Sequence, residues 1–161
     1  MIIRYAQIKD IPAITEIYNY EVIHSTSTFD ITIKSCDYFI KFLDKHNDHY
    51  PVFVIEEDSI IVGWGSLSMY SEKEAYKCTV ENSIYIHNCY RSKGYGKKML
   101  DHLINTSKNL GYSNIIAKIS AENQNSIALH SKFGFIQVGK LINVGYKFNR
   151  WLDVVIMQLS L

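Results

Sequence analysis

The spacing of apolar residues along the chain switches between a period near two and a period near 3.6, and each switch marks an element boundary. Ile2 to Tyr5 reads as a short strand. Asp10 then stands where a helix N-cap belongs, Pro12 falls in the first turn, and Ile11, Ile14, Tyr18 and Val22 return on one face. Cys36 to Lys45 carries Tyr38, Phe39, Phe42 and Leu43 at helical spacing, and Asp48 to Pro51 ends that second helix. Val52 to Glu56 and Ile60 to Met69, β-rich runs around Glu57-Asp58-Ser59, predict a hairpin, and Thr79 to His87 predicts a further strand. Antiparallel pairing should dominate this half. Met99, Leu100, Leu103, Ile104 and Leu110 then form a helical stripe that stops at Gly111, a C′ glycine. Ile115 to Ser120 predicts a strand, Asn125 to Phe133 a short helix closed by Gly134, and Phe135 to Leu141 and Trp151 to Leu159 the last two strands. No repeat, low-complexity segment or linker interrupts the series.

Composition narrows the class. A chain of 161 residues, 47% hydrophobic and 13% aromatic, suits one domain over 1–161 with a real core. Lys and Arg number 17 against 16 Asp and Glu, so no global basic field recruits nucleic acid or an acidic membrane, and any anion site must be local. Cys36, Cys78 and Cys89 are odd in number and form no C-x-x-C, which argues for reduced thiols and against a zinc site. His46-x-x-His49 lacks a third ligand, so no metal is expected, and His24, His87 and His102 read as surface or packing residues. Met1 leads into Ile-Ile-Arg-Tyr-Ala with no basic n-region or long apolar h-region, and no run of about 18 apolar residues follows, so a soluble cytoplasmic protein is expected.

The chemistry concentrates at Arg91-Ser92-Lys93-Gly94-Tyr95-Gly96, followed by Lys97 and Lys98, between a predicted strand and a predicted helix. Gly94 and Gly96 let the backbone turn with its N–H groups converging, the helix aims its positive end at the same spot, and the basic side chains add charge. An anionic ligand is expected there, against the alternative of a solvated basic turn. Spacing excludes two better-known phosphate loops. A P-loop needs Gly where Arg91 stands and Ser or Thr where Lys98 stands, and a dinucleotide fingerprint needs Gly or Ala where Met99 stands.

The Arg-x-x-Gly-x-Gly loop after a strand, with Asn123-x-x-Ser126-x-x-x-His130-x-x-x-Gly134-Phe135 downstream, resembles the GNAT superfamily of N-acetyltransferases. Within it, Thr26-Ser27-Thr28-Phe29, Ala75-Tyr76-x-x-Thr79-Val80-Glu81-x-Ser83-Ile84-Tyr85-Ile86 and Gly145-Tyr146-Lys147-Phe148-x-x-Trp151-x-Asp153 resemble the phosphinothricin or methionine sulfoximine acetyltransferase branch. The resemblance spans essentially the whole chain. It implies an α/β fold with a twisted, mixed, mostly antiparallel sheet and helices on both faces, acetyl-CoA as donor, and a small primary amine as acceptor. The branch commonly forms dimers, so a homodimer enters as an expectation that the sequence does not itself demand.

Acetyl transfer requires a neutral amine, and an amine with pKa of about 8–10 is mostly protonated at neutral pH, so a base must take its proton. Glu81 fills that role by resemblance, directly or through a water. In an alternating strand Glu81, Ser83 and Tyr85 share one face, so the carboxylate either faces a cleft or makes a surface ion pair. His130 lies four residues after Ser126 and four before Gly134, and it either protonates the departing thiolate or packs beneath the sheet. By the same resemblance Ile84 and Ile86 flank the pantetheine, and Arg91, Ser92, Lys93, Gly94, Tyr95, Gly96 and Lys97 hold the pyrophosphate chiefly through backbone N–H groups. Asn123 and Ser126 complete the cofactor contacts, with a helix cap as the alternative for Asn123.

Phe29, Lys73, Tyr76, Lys147 and Trp151 are the candidate acceptor residues, each equally readable as core or turn material. The branch frequently has Arg where this chain has Lys73, and lysine attracts a carboxylate only as a point charge. The expected reaction is direct attack in a ternary complex. An acetyl-Cys89 intermediate is the minority alternative, because nothing nearby resembles a Cys-His pair. An acyl-CoA-binding sensor without turnover and a protein or peptide acetyltransferase are the other readings carried forward.

Overall fold

A computed structural model describes residues 1–161 and orders the chain as alternating strands and helices. β1 (Ile2–Tyr5) is followed by a short 3-10 turn and α1 (Ile11–His24), with Pro12 in the first turn. Asp10 sits at the N-cap position but does not cap α1. Its carboxylate accepts instead from the Gln7 N–H at 2.8 Å and from the Arg4 guanidinium at 2.7 and 2.9 Å. A nearby guanidinium outcompetes the helix amides because charge-assisted, bidentate bonds are the stronger ones. α2 (Cys36–Lys45) does begin with a side-chain cap, Ser35 Oγ accepting from the Tyr38 N–H at 3.2 Å.

β2 (Val52–Glu57) and β3 (Ile60–Met69) form the expected hairpin, with Asp58 and Ser59 both at positive φ as a two-residue primed turn requires. β4 (Thr79–Ile86), α3 (Tyr95–Asn109), β5 (Asn114–Ser120) and α4 (Gln124–Lys132) follow, and Gly111 and Gly134 take positive φ just past the two helices. β6 (Ile136–Lys147) runs six residues beyond the predicted end at Leu141. Asn143, past that predicted end, lies in a bulge between the paired residues Leu141 and Gly145, where it takes φ +52° and its N–H donates to Asp153 Oδ1 at 2.8 Å. β7 (Arg150–Ser160) closes the chain through a tight turn at Phe148 and Asn149.

The seven strands form one sheet in the order β1-β2-β3-β4-β5-β7-β6, antiparallel throughout except for the β4–β5 pair. Strand alternation sends Val52 and Val54 to one face and Phe53 and Ile55 to the other, and each face collects its own helices. Ile14, Ile17 and Phe39 of α1 and α2 pack with Val52, Val54 and Trp64. On the opposite face Met99, Leu100 and Leu103 of α3 are fully buried, each worth about 1.5–3 kcal/mol of transfer free energy.

The parallel pair is what creates the site. β4 and β5 share only Thr79↔Asn114, Val80↔Ile115 and Glu81↔Ile116, after which β5 stays paired with β7 and leaves β4. Beyond Glu81 the sheet opens into a wedge, and from Asn82 to Ile86 the β5-facing backbone groups of β4 have no strand partner.

Candidate active site

The wedge continues into a cleft of about 1390 Å³ bounded by β4, β5, the Arg91–Gly96 loop, the start of α4 and the Thr26–Phe29 segment. Glu81 stands at its apex, the last β4 residue paired with β5 and directly opposite Ser68 of β3. Its carboxylate, 26% exposed, meets Lys118 Nζ of β5 at 2.7 Å. Lys118 Nζ also lies 5.5 Å above the Tyr70 ring, which packs edge-on against Tyr76. An exposed pair of this kind is worth about 0–1 kcal/mol, so the carboxylate is free to exchange Lys118 for another partner at little cost.

The loop has the backbone of an anion cradle. Ser92 takes φ +62° and Gly94 φ +86°, and the first bond of α3 runs from the Lys98 N–H to the Gly94 carbonyl at 3.1 Å. The amides of Tyr95, Gly96 and Lys97 therefore precede the helical ladder and point outward with the helix dipole. Gly94 is the residue that eases this turn, since L side chains rarely adopt a φ of +86°.

Side chains contribute less than the sequence suggests. Arg91 is committed to Glu21 of α1 by an ion pair and lies 5.5 Å from the Tyr20 ring centre, while Lys93 reaches back over Tyr90. Neither Lys93 nor Lys97 lines the cleft. Tyr95 is buried, and its hydroxyl donates to Glu57, tying the start of α3 to the β2–β3 hairpin. Ile84, Ile86, Ser92, Gly94 and Gly96 do line the cleft.

His130 is 4% exposed, and both ring nitrogens are occupied. Nδ1 lies 2.8 Å from the Ser126 carbonyl, which can only accept, so Nδ1 carries the proton and Nε2 accepts from Asn82 Nδ2 at 3.0 Å. Burial lowers its pKa, against the raising effect of the Ser126 carbonyl, and keeps the ring neutral. The geometry favours the packing alternative: the one N–H is committed to a backbone carbonyl, and the ring orients Asn82 on β4. Because the folded pKa lies below the ordinary value near 6.5, the unfolded chain binds the extra proton first as pH falls. The stability His130 contributes is thus complete above about pH 6.5 and is lost as pH drops through the folded value. Urea unfolding at pH 8 and pH 5 should show a smaller pH penalty in His130→Asn than in the unaltered protein; equal penalties would contradict the neutral buried assignment.

Asn123 caps α4, its Oδ1 accepting from the Ser126 N–H at 3.1 Å, while its Nδ2 donates to Ser27 Oγ at 3.3 Å. Both Asn123 and Ser126 line the cleft, so the capping role and a ligand-facing position coexist.

The acceptor residues do not assemble as expected. Phe29 lines the cleft, held by Gly145, where a Cβ would fall inside the Phe29 ring. Lys147 is 4% exposed and donates from Nζ to the carbonyls of Thr28 at 2.8 Å and Glu21 at 3.3 Å, so it clamps α1 and the following segment to β6 and does not face a ligand. Trp151 is 62% exposed and packs on Tyr146. Lys73 stands at the N-cap position of a short 3-10 turn at the surface without a side-chain cap bond, and neither it nor Tyr76 lines the cleft. Two site residues escaped the sequence reading. Glu21 had a signal, a carboxylate on the apolar stripe of α1, and Lys118 had another, a lone lysine in an apolar strand.

A family model described as an acetyltransferase (GNAT) domain matches residues 3–156, and the chain belongs to that family. It is 36% identical over 162 residues to the L-methionine sulfoximine/L-methionine sulfone acetyltransferase of Salmonella typhimurium, covering 100% of this chain and 95% of that one. It is 32% identical over 158 residues to a phosphinothricin N-acetyltransferase of Alcaligenes faecalis, covering 97% and 80%. Among solved structures it is similar to a GNAT superfamily phosphinothricin acetyltransferase from Sinorhizobium meliloti in complex with acetyl-CoA, with 33% identity, a TM-score of 0.95 and coverage of 99% and 88%.

Proposed function

We propose that the chain acts as a single acetyltransferase domain that moves the acetyl group of acetyl-CoA to the primary amine of a small amino-acid-like acceptor, of the methionine sulfoximine or phosphinothricin type. The observation that carries this reading is Glu81 at the apex of the β4–β5 wedge, with unpaired strand backbone on one side and the amide-rich loop at the far end. The residues fit a long thioester. The cleft extends from loop to apex, and Gly96 leaves bare a stretch of wall where a Cβ would sit 3.5 Å from Leu129 and 3.9 Å from Ile86. Acetyl-CoA supplies an activated acetyl group and a thiolate that leaves.

The chain supplies position and a proton acceptor. The β5-facing amide and carbonyl of Ile84 and the amide of Ile86 pair with the donor's amides, and the amides of Tyr95 and Gly96 hold its pyrophosphate. Arg91 acts through Glu21 by fixing the loop to α1, and Ser126 and Asn123 line the opposite wall. Glu81 gives up Lys118, takes the ammonium proton, and leaves the nitrogen neutral for direct attack. His130 orients Asn82 and does not donate to the leaving thiolate, which is a weak base on the scale of an ordinary thiol, pKa about 8.5. The direct test is thiol release from acetyl-CoA across a panel of free amino acids, their analogues and peptides. Turnover of free analogues in preference to peptides is expected. Donor binding with no turnover of any amine would favour a sensor and contradict the enzyme reading.

A second copy of the chain is the proposed partner. β6 is one of the two sheet edges, and it presents Ile136, Ile142, Val144 and Tyr146 to solvent, with Trp151 of β7 beside them. Val144 and Phe148 also line the cleft, so a partner seated there would wall the acceptor side. Light scattering should find a dimer that Ile142→Lys converts to monomer; a monomeric parent, or an unchanged dimer in the variant, would contradict this interface. The cytoplasm is the proposed compartment, on the strength of three exposed cysteines held in no disulfide.

A further inference from the structure

A second cavity, of about 140 Å³, lies on the sheet face that carries Glu81. The β3–β4 register places Ser68 opposite Glu81, Ser66 opposite Ser83 and Trp64 opposite Tyr85, so all six side chains stand on one face. Tyr18 of α1 and Tyr38, Phe39 and Phe42 of α2 roof the space. The walls are therefore aromatic, yet they contain two polar atoms with no partner. Trp64 Nε1 and Ser66 Oγ are unpaired, although the residues are only 2% and 1% exposed. Buried polar groups are paired as a rule, so two orphaned hydrogen-bond donors beside one cavity point to something that pairs with them.

The cavity carries no positive charge. No lysine or arginine lines it. His46 stands behind Ser68, and its Nδ1 must donate to the Phe42 carbonyl at 2.7 Å, which leaves Nε2 to accept from the Ser68 hydroxyl at 3.1 Å. An anion placed here would lose its hydration without gaining a counter-charge.

Resting on the acetyltransferase reading above, we infer that this cavity receives the acceptor's side chain and selects an uncharged apolar arm ending in a hydrogen-bond-accepting oxygen, as in a sulfone or sulfoximine, over an anionic phosphinate. The aromatic rings enclose the methylene groups, Trp64 Nε1 and Ser66 Oγ donate to the oxygen, and the α-amine remains near Glu81, whose strand partner Ser68 forms the cavity's near wall. Ser66 is the specificity-determining residue. Its hydroxyl has no structural partner, so its removal should cost the fold nothing.

The test compares the unaltered protein with Ser66→Ala, measuring thiol release at saturating acetyl-CoA with methionine sulfone, methionine and phosphinothricin, together with the thermal midpoint. Methionine sulfone should be the best of the three with the unaltered protein. Ser66→Ala should raise its KM about tenfold relative to that of methionine, with kcat retained, because one buried hydrogen bond to the oxygen is lost. The thermal midpoint should not fall. Equal KM changes for sulfone and methionine, no change for either, or a preference for phosphinothricin would overturn the inference and leave the cavity to water. Those results still include amine turnover, so they spare the acetyltransferase reading. A protein that binds acetyl-CoA and acetylates none of the three or any other free amine sinks both.

Discussion

Glu81→Gln should lower kcat for acetyl transfer by roughly a hundredfold to a thousandfold at neutral pH, within the range that general-base catalysis supplies. The substitution keeps the shape of the side chain and removes its ability to take a proton. Lys118 loses its ion partner, but that pair is partly exposed, so the thermal midpoint should move little. The deficit should shrink as pH rises from 6 to 9, because an amine with pKa of about 8–10 sheds its own proton there. Acetyl-CoA affinity should be unchanged. Equal turnover of both proteins across that range would remove Glu81 as the base and return it to the role of a surface ion pair.

Gly96→Val should raise the KM for acetyl-CoA by roughly tenfold to a hundredfold, the scale of an overpacking cost of about 1–3 kcal/mol. A Cβ at Gly96 meets Leu129 and Ile86 at ordinary contact distance, so the protein itself accommodates the first carbon. The position lies in the first turn of α3, where replacing glycine costs the helix nothing. What the branched side chain fills is the space between Ile86 and Leu129 that the donor would cross. Unaltered acetyl-CoA binding in a folded variant would place the donor elsewhere. A folded variant with lost binding and an unchanged thermal midpoint is the expected outcome.

The periodicity of the chain made most of the elements legible, and the exceptions have physical causes. β6 was cut short because Asn143 and Gly145, just past Leu141, carry turn chemistry, whereas Asn143 takes its positive φ inside a bulge supported by Asp153. Asp10 was read as a cap because spacing cannot show that Arg4, on a different element, captures its carboxylate. The anion loop was legible as backbone, since Gly94 requires its conformation, but its charges were not. Arg91 pairs with Glu21, seventy residues earlier in the chain, and local sequence carries no record of that contact.

Glu81 was placed in the right strand and on a definite face, yet its position at the apex follows from how far β4 and β5 stay paired, which depends on both strands together. The acceptor side was least legible. Lys147 and Trp151 sit in conspicuous motifs, but one is a buried clamp and the other an exposed edge residue. The cavity beside Glu81 is built from Trp64 and Ser66 on β3 and from aromatics on α1 and α2, residues that periodicity marks only as core.

The account rests on direct transfer from a bound donor to a bound amine, and initial-rate kinetics with both substrates varied test it most directly. Acetyl-CoA and methionine sulfone should give intersecting double-reciprocal lines, and acetyl-CoA alone should release no thiol and leave the intact mass of the protein unchanged. Parallel lines, with a stoichiometric burst of thiol and an acetyl group recovered on Cys89, would contradict it.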